Sequence, residues 1–217
     1  MHRRLRKAQG AFVPKPQLPI VDELILTVLS QATSDTNRDR AFEGLKARFS
    51  SWEEVRAAPV IEVADAIRPG GIADVKGARI KRILDEIHAR EGSMDLAALM
   101  EMSDDEVTDY LCSLPGVGPK TAACVLVFSM GRAAFPIDTH VYRIARRLGW
   151  IDPGITAEVA HRSFAPRIPP ELRYDLHVAL IEHGRKVCVA RMPRCSECVV
   201  FDLCEAGPAL VAEGLAR

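Results

Sequence analysis

The spacing of apolar residues along the chain is that of α-helices in nearly every segment. Apolar side chains recur at i, i+3, i+4 and i+7, the period that places them on one face of a helix. The clearest stretch contains Ile80, Ile83, Leu84 and Ile87, and no segment alternates convincingly as a half-buried strand does. The pattern predicts an all-α protein. Helices are expected over residues 19–29, 35–49, 60–67, 80–87, 104–114, 119–131, 138–148 and 172–184, with a short one from residue 51.

Two of the predicted helices are joined by a short glycine-rich turn. Ser103 and Glu106 have the spacing of a capping box, which predicts that the first helix begins there. The turn is Gly116-Val117-Gly118, and both glycines are expected to hold backbone conformations that a Cβ would penalise. Such a hairpin turns N–H groups outward at a helix N-terminus and forms an anion site. A plain helix–helix turn without a ligand would also contain these glycines.

Lys120 follows the second glycine by two residues and falls in the first turn of the second helix. The helix dipole is unfavourable to a cation at that end. An amine held there should lose its proton more easily, and the neutral form is the better nucleophile. Lys120 therefore favours a chemical role for the hairpin over a plain turn.

The segment Leu114–Ala122 reads Leu-Pro-Gly-Val-Gly-Pro-Lys-Thr-Ala, and Asp-Thr-His begins 18 residues after the lysine. This arrangement resembles the endonuclease III group of helix–hairpin–helix DNA glycosylases. The resemblance implies that Lys120 is the nucleophile and Asp138 the essential carboxylate. Relatives that excise without cutting usually carry Ser at the lysine position, so Lys120 implies the branch that also cleaves the strand. Alone, Asp138 would be an ordinary helix N-cap, which is compatible with catalysis, and His140 is expected to be structural.

The same resemblance implies two further DNA contacts. Leu29-Ser30-Gln31-Ala32-Thr33 is similar to the segment from which the family inserts a Gln into the space of a flipped base, which makes Gln31 the candidate plug. Residues 70–77 are similar to the family's loop carrying an apolar wedge, which makes Ile72 the candidate wedge. Otherwise Gln31 would be a surface residue and Ile72 a core residue.

Four cysteines lie within 17 residues, at positions 188, 195, 198 and 204, with the spacing C-x6-C-x2-C-x5-C. They predict one site with four thiolate ligands, and their chemistry allows zinc or a 4Fe–4S cluster. Resemblance to the family's cluster site at all four positions implies one 4Fe–4S cluster of structural role. Arg191 and Arg194 lie between the first two ligands and are expected to contact phosphates.

Charge is balanced overall, with 29 basic and 29 acidic residues, but it is unevenly distributed. Residues 1–18 carry five basic and no acidic side chains, including Lys15, while residues 19–110 carry more acidic than basic ones. A molecule whose positive and negative charges lie in different segments can bind a polyanion on one surface. The basic arm is expected to be either a short helix or disordered, and either to contact DNA or to be a flexible terminus. No apolar run suggests a membrane span or signal peptide, so a monomer in the cytoplasm or nucleoid is expected.

Together these observations predict two domains. One is a six-helix domain over residues 19–132 that ends in the hairpin, and the other combines residues 1–18 and 133–217 around the cysteines. The resemblance implies a DNA glycosylase and AP lyase acting on oxidised or ring-saturated pyrimidines in damaged double-stranded DNA. The alternatives are a glycosylase for another lesion and a non-catalytic helix–hairpin–helix DNA-binding protein with a structural metal.

Overall fold

The structure is a computed structural model that describes residues 1–10 and 17–217. Within them the regular structure is helical, without strands, so the expected all-α class is confirmed. None of the described helices is both long and apolar enough to cross a membrane. The α-helices of the described residues are α1 (His2–Gln9), α2 (Ile20–Leu29), α3 (Asp35–Arg48), α4 (Trp52–Ala57), α5 (Val60–Ala66), α6 (Ala73–Glu91), α7 (Asp104–Cys112), α8 (Pro119–Phe128), α9 (Thr139–Arg147), α10 (Ala157–Ser163), α11 (Pro170–Lys186) and α12 (Gly207–Ala212).

The chain forms two compact units. One spans Gln17–Arg132, and the other combines Met1–Pro16 with Ala133–Arg217. The first unit contains the seven helices α2 to α8, and each corresponds to one of the helices that the apolar pattern predicts between residues 19 and 131, although the expected domain was described as having six. In the basic arm, Lys15 lies outside the described residues, whereas α1 occupies its first half.

The core of the unit Gln17–Arg132 is built around α2, which packs against α3, α6 and α8. Eight of the ten residues of α2 are buried, among them Leu24, Ile25 and Val28. A helix that is apolar on all sides is stable only inside a core. The turn that carries Gln31 therefore starts from a helix that is almost wholly buried in this core.

Helix α6 begins earlier than the sequence pattern indicates. Residues 73–77, expected as part of a loop, form its first turns, and Ile72 is its N-cap residue. The expectation was wrong because the first turn carries the exposed residues Asp74 and Val75 and shows no apolar stripe. Gly77 lies against α5, where a Cβ would approach the backbone nitrogen of Ala64 to 3.2 Å. This close approach favours glycine at that position, because a Cβ would push the α5 backbone away by a few tenths of an ångström.

The second unit is organised by α9 and α11, with α1 packed on α11. Leu5 of α1 is buried in the same core as Val141 and Leu180. Arg6 and His2 both bind the Asp175 carboxylate on α11. These contacts lower the pKa of Asp175, and the hydrogen bond from Arg6 contributes most. The first half of the basic arm is therefore a docked helix rather than an unstructured terminus.

Two lysines of α6 complete the ends of other helices. Lys76 is 1% exposed, and its Nζ donates to the carbonyl oxygens of Leu29 at 2.7 Å and Gly70 at 2.8 Å. Lys81 donates in the same way to Ala58, at 2.5 Å, and to Arg56. The last carbonyls of a helix have no partner within it, so these ammonium groups stabilise the ends of α2 and α4. Burial, aided by the nearby Arg79 charge, lowers the pKa of Lys76.

Replacing Lys76 with Met should lower the free energy of unfolding by about 1–3 kcal/mol at neutral pH, because two buried carbonyls lose their donor. Since the folded-state pKa lies below its usual value near 10.4, the unfolded chain binds more protons just below that pH. The stability of the wild type relative to Lys76→Met should therefore rise further as the pH approaches 10. Urea denaturation at several pH values measures both effects. Arg82→Met, an exposed change on the same helix, is the control; a Lys76→Met protein as stable as this control would contradict the capping role.

Candidate functional site

The hairpin between α7 and α8 has the geometry that its sequence predicts, with one exception. Both hydrogen bonds of the capping box between Ser103 and Glu106 are present. Gly116 has φ 74°, which favours glycine. Gly118 has φ −118°, which any residue adopts, and a Cβ there would meet nothing within 4 Å. The expectation that both glycines need unusual conformations is therefore wrong for Gly118, whose missing side chain instead leaves the turn open to approach.

The N-terminus of α8 presents several unpaired donors. Val117 is buried, and its N–H donates to Leu114 at 3.1 Å, which closes the turn. Among residues 17–132, no group accepts a hydrogen bond from the backbone N–H of Gly116, Gly118 or Lys120. The Lys120 side chain is half-buried and likewise has no partner within this unit. These groups can bind an anion such as a phosphate.

Gln31 lies in the turn that follows α2, and its side chain is held by α6. Its Oε1 accepts a hydrogen bond from Nη1 of Arg79 at 2.5 Å. The same guanidinium lies over the hairpin, since a Cβ on Gly116 would be 2.8 Å from Arg79 Nε. Sequence analysis missed Arg79. Arg79 lies three residues after Lys76, on the same face of α6. This spacing was a usable signal only if α6 was known to begin at Ala73.

Ile72 is exposed to 58%, so it is not a core residue. Its φ is 42°, a conformation that is strained for a β-branched side chain. In the described part of the chain, the other non-glycine residues with positive φ are Ala32 and Met192. All three lie in segments that were expected to contact DNA. Strained residues of this kind often mark functional loops.

In the second unit, Asp138 caps α9. Its Oδ1 accepts a hydrogen bond from the backbone N–H of Val141 at 2.7 Å. His140 packs against Gly184, and Nη2 of Arg143 lies 3.1 Å from its Nδ1. Burial lowers the pKa of His140. These contacts describe Asp138 as an N-cap and His140 as a packed residue of α9.

The four cysteines of the C-terminal segment are free thiols, and Cys188 is near enough to Cys195, Cys198 and Cys204 to interact electrostatically with each of them. Burial raises the pKa of Cys195, Cys198 and Cys204, and the charges of neighbouring cysteines, Cys188 among them, raise each pKa further. Such a group of thiols is held as thiolates only with a compensating cation.

The chemistry of the cysteine group can be compared with the two metal centres that the sequence allows. No group of three or more His, Cys, Asp or Glu side chains in residues 1–10 and 17–217 is arranged to hold a metal ion. A single zinc would need four sulfurs about 2.3 Å from one point. Backbone N–H groups of Val200 and Gly207 donate to Cys198 and Cys204, as expected for cluster thiolates. The donor set of four cysteines fits a 4Fe–4S cluster, which is commonly held by four Cys thiolates.

Two arginines of α9 hold the first cysteine and the segment after it. Arg143 donates to the carbonyl oxygens of Gly184 and Cys188 at 2.9 Å. Arg147 donates to Cys188 Sγ at 3.2 Å and to the carbonyl oxygens of Val189 and Ala190. Sequence analysis assigned no role to either arginine. Their i, i+4 spacing on a helix before the cysteines was the available signal.

The loop between the first two cysteines presents its cations to solvent. Arg191 and Arg194 are both exposed. Arg194 lies 3.8 Å from the exposed Glu197 carboxylate, a contact of little energetic weight at the surface. Elsewhere, Cys124 on α8 is buried, whereas Cys112 on α7 is half-buried.

The fold, the open hairpin and the cysteine group together define a helix–hairpin–helix protein. Residues 25–170 match the HhH-GPD superfamily of base excision DNA repair proteins. The chain therefore belongs to this superfamily and to its endonuclease III family.

Individual relatives agree with this assignment. The chain is 32% identical over 184 residues to endonuclease III of Sulfolobus acidocaldarius, covering 84% of this chain and 80% of the relative. It is 40% identical over 169 residues to a provisionally named DNA glycosylase of Arabidopsis thaliana, covering 78% of this chain but only 57% of that protein. It also superimposes on endonuclease III from a non-covalent complex with DNA, with a TM-score of 0.82 and 26% identity, covering 97% of this chain and 95% of the other.

Replacing Asp138 with Ala should lower the free energy of unfolding by about 1 kcal/mol, because α9 loses its side-chain cap. Asp138→Asn should keep most of that stability, since Asn caps as well as Asp. Urea denaturation of the free protein measures the difference. Equal losses in the two variants would show that the charge, rather than the cap to Val141, stabilises the helix.

Proposed function

We propose that this protein is a base excision DNA glycosylase that also cleaves the strand at abasic sites. The observation that carries the proposal lies at and just before the N-terminus of α8, where the backbone N–H groups of Gly116, Gly118 and Lys120 and the Lys120 amine have no hydrogen-bond partner among residues 17–132. Backbone N–H groups suffice to bind a phosphate, so a non-catalytic DNA-binding hairpin would not need Lys120. Membership of a base excision repair superfamily supports the catalytic alternative.

The target nucleotide must first leave the base stack, because its C1′ atom is hidden in the duplex. In our proposal, Gln31 fills the vacated space and Ile72 inserts beside it as an apolar wedge. The exposure of Ile72 leaves its side chain available for this role. The Gly116-Val117-Gly118 turn binds the phosphate backbone with the N–H groups of Gly116 and Gly118, while Val117 closes the turn, and this contact fixes the position of the lesion.

The neutral amine of Lys120 then attacks C1′ while the N-glycosidic bond breaks and its electron pair leaves with the base, which takes up a proton. The Asp138 carboxylate stabilises the positive charge on the sugar or accepts a proton from the amine. Opening of the sugar ring gives a Schiff base between Lys120 and C1′. Loss of a proton from C2′ sends its electron pair into the iminium and gives an enamine. When the nitrogen returns an electron pair, a C2′=C3′ double bond forms and the C3′–O bond breaks, with its electron pair leaving on the phosphate oxygen. The 3′ phosphate is released by β-elimination, and the Schiff base is the electron sink.

We further propose oxidised or ring-saturated pyrimidines and abasic sites as substrates, acted on by a monomer. This choice rests on the sequence resemblance to the endonuclease III group. A different lesion is the second candidate, because the Arabidopsis relative is named only as a DNA glycosylase. A panel of duplexes that each carry one lesion distinguishes the two.

Cys188, Cys195, Cys198 and Cys204 would hold one 4Fe–4S cluster. When bound, the cluster supplies four metal–thiolate bonds that tie the loop carrying Arg191 and Arg194 to the rest of its unit. Because a tied loop loses little entropy on binding, its two cations are suited to phosphate contacts.

The first experiment tests the nucleophile. Borohydride should trap the wild type covalently on abasic-site DNA, whereas Lys120→Ala should bind this DNA without being trapped. Asp138→Asn, which keeps the cap of α9, should bind lesion DNA nearly as well and turn over far more slowly. Equal trapping of wild type and Lys120→Ala would exclude Lys120 as nucleophile, and near-normal turnover of Asp138→Asn would leave Asp138 as a cap only.

The second experiment tests the cysteine loop. Purified protein should be yellow-brown with about four irons per chain, the stoichiometry of the cluster; one zinc in colourless protein would overturn the assignment. Arg191→Ala with Arg194→Ala should keep the colour, because neither residue is a ligand. If both contact phosphates, the slope of log affinity against log salt should become shallower by about 2, equally for damaged and undamaged DNA. Full colour with an unchanged slope would remove the loop from the DNA-binding surface.

A further inference from the structure

We propose that Arg79 is a positioning residue that holds the side chain of Gln31 against the hairpin before DNA is bound, so that the plug enters the duplex already oriented. The inference rests on the proposed function, in which Gln31 fills the space of the flipped base. It concerns residues 17–132 alone.

The geometry around Arg79 joins two of the proposed DNA-contact elements. One end of the guanidinium, Nη1, donates to Gln31 Oε1 at 2.5 Å. Its other side covers Gly116, because a Cβ there would lie 2.8 Å from Nε, 3.0 Å from Cδ and 3.3 Å from Cζ. Within the described residues, Nε is buried and has no hydrogen-bond partner. The guanidinium is therefore held by packing on the hairpin turn and directs its Nη1 donor at Gln31.

The backbone on either side of this contact is also fixed. Lys76, three residues before Arg79 on α6, donates to Leu29, two residues before Gln31, and to Gly70, two residues before Ile72. Lys76 thus fixes the backbone from which the plug and the wedge project, while Arg79 fixes the plug side chain itself. A glutamine side chain otherwise loses much rotamer freedom when it is ordered. Restraining it in the free protein removes that cost from the binding step.

The contact also determines which part of the plug faces the DNA. The amide oxygen of Gln31 is occupied by Arg79, so the NH2 group with its two donors remains to meet the base opposite the lesion. A positioning role for Arg79 therefore affects binding to flipped-base sites and not binding to intact duplex. A direct phosphate contact by Arg79 would instead weaken all duplexes and reduce the salt dependence of binding.

The experiment measures affinity for a duplex with a stable abasic-site analogue and for the undamaged duplex, at several salt concentrations, with the full-length chain. Arg79→Met keeps an apolar chain over Gly116 and removes the donors. It should reduce the preference for the abasic duplex about tenfold, as expected for a lost hydrogen bond from a charged donor. The salt slope should not change. Arg79→Lys should recover part of the preference, and Arg82→Met, an equal loss of charge at an exposed position of α6, should retain all of it.

The decisive measurement is the double variant. If Arg79 acts through Gln31, Arg79→Met should have no further effect on the preference in a Gln31→Ala background. Additive losses would overturn the proposal, and so would an equal loss for both duplexes with a salt slope reduced by about 1. A Gln31→Ala protein with unchanged preference would instead refute the plug in the proposed function, and the role of Arg79 with it. A full loss in Gln31→Ala with none in Arg79→Met would refute the positioning role alone.

Discussion

The carbonyl groups at helix ends are the constraint on which this structure depends. A protein made of many short helices leaves up to four carbonyls unpaired at the end of each one. Here the missing donors are lysine and arginine side chains from other segments, and hydrogen bonds from charged donors are among the strong ones. The bonds from basic side chains to carbonyls at or just beyond helix ends include Lys76 to Leu29, Lys81 to Ala58, Arg132 to Met100, Arg143 to Gly184 and Arg147 to Val189.

This use of cations changes what the charge distribution means. Residues 111–204 carry 12 basic and 8 acidic side chains, an excess of the kind that favours a DNA-binding surface. Arg132, Arg143 and Arg147 belong to that excess, yet their guanidinium groups are directed at carbonyl oxygens. Arg191 and Arg194, by contrast, are exposed. Positive charge in a helical protein therefore has to be divided into groups that complete helix ends and groups that remain for a polyanion.

Much of the fold follows from local sequence. Where the helices of the structure differ from those predicted, the physical cause can be identified. Ser103 and Asp138 cap the helices that they were expected to cap, because a side-chain cap depends on neighbouring residues only. The seven-residue α10 and six-residue α12 were not foreseen, since helices so short are stabilised by tertiary packing rather than by their own pattern.

In the candidate site, too, the features that depend on local sequence could be predicted, and those that depend on long-range contacts could not. The cysteine spacing and the hairpin turn are local features and could be recognised from sequence. The contact of Arg79 with Gln31 joins residues 48 positions apart and required the structure. Arg147 and Cys188 are 41 positions apart, and their contact was likewise not visible in the sequence.

Ile72 has three properties that each lower local stability. Its positive φ is strained for a β-branched residue, it supplies no side-chain cap to the N-terminus of α6, and it exposes 58% of its surface. Asn or Ser at this position would cap the helix, Asn or Gly would relieve the strain, and all three would expose less apolar surface. The neighbouring helices α3, α4 and α7 each begin with a capping serine, so the chain uses that solution elsewhere. Natural sequences tend to break several local rules at once where a residue serves a ligand rather than the fold. Lys76, at the fourth position of α6, fixes the backbone that carries Ile72.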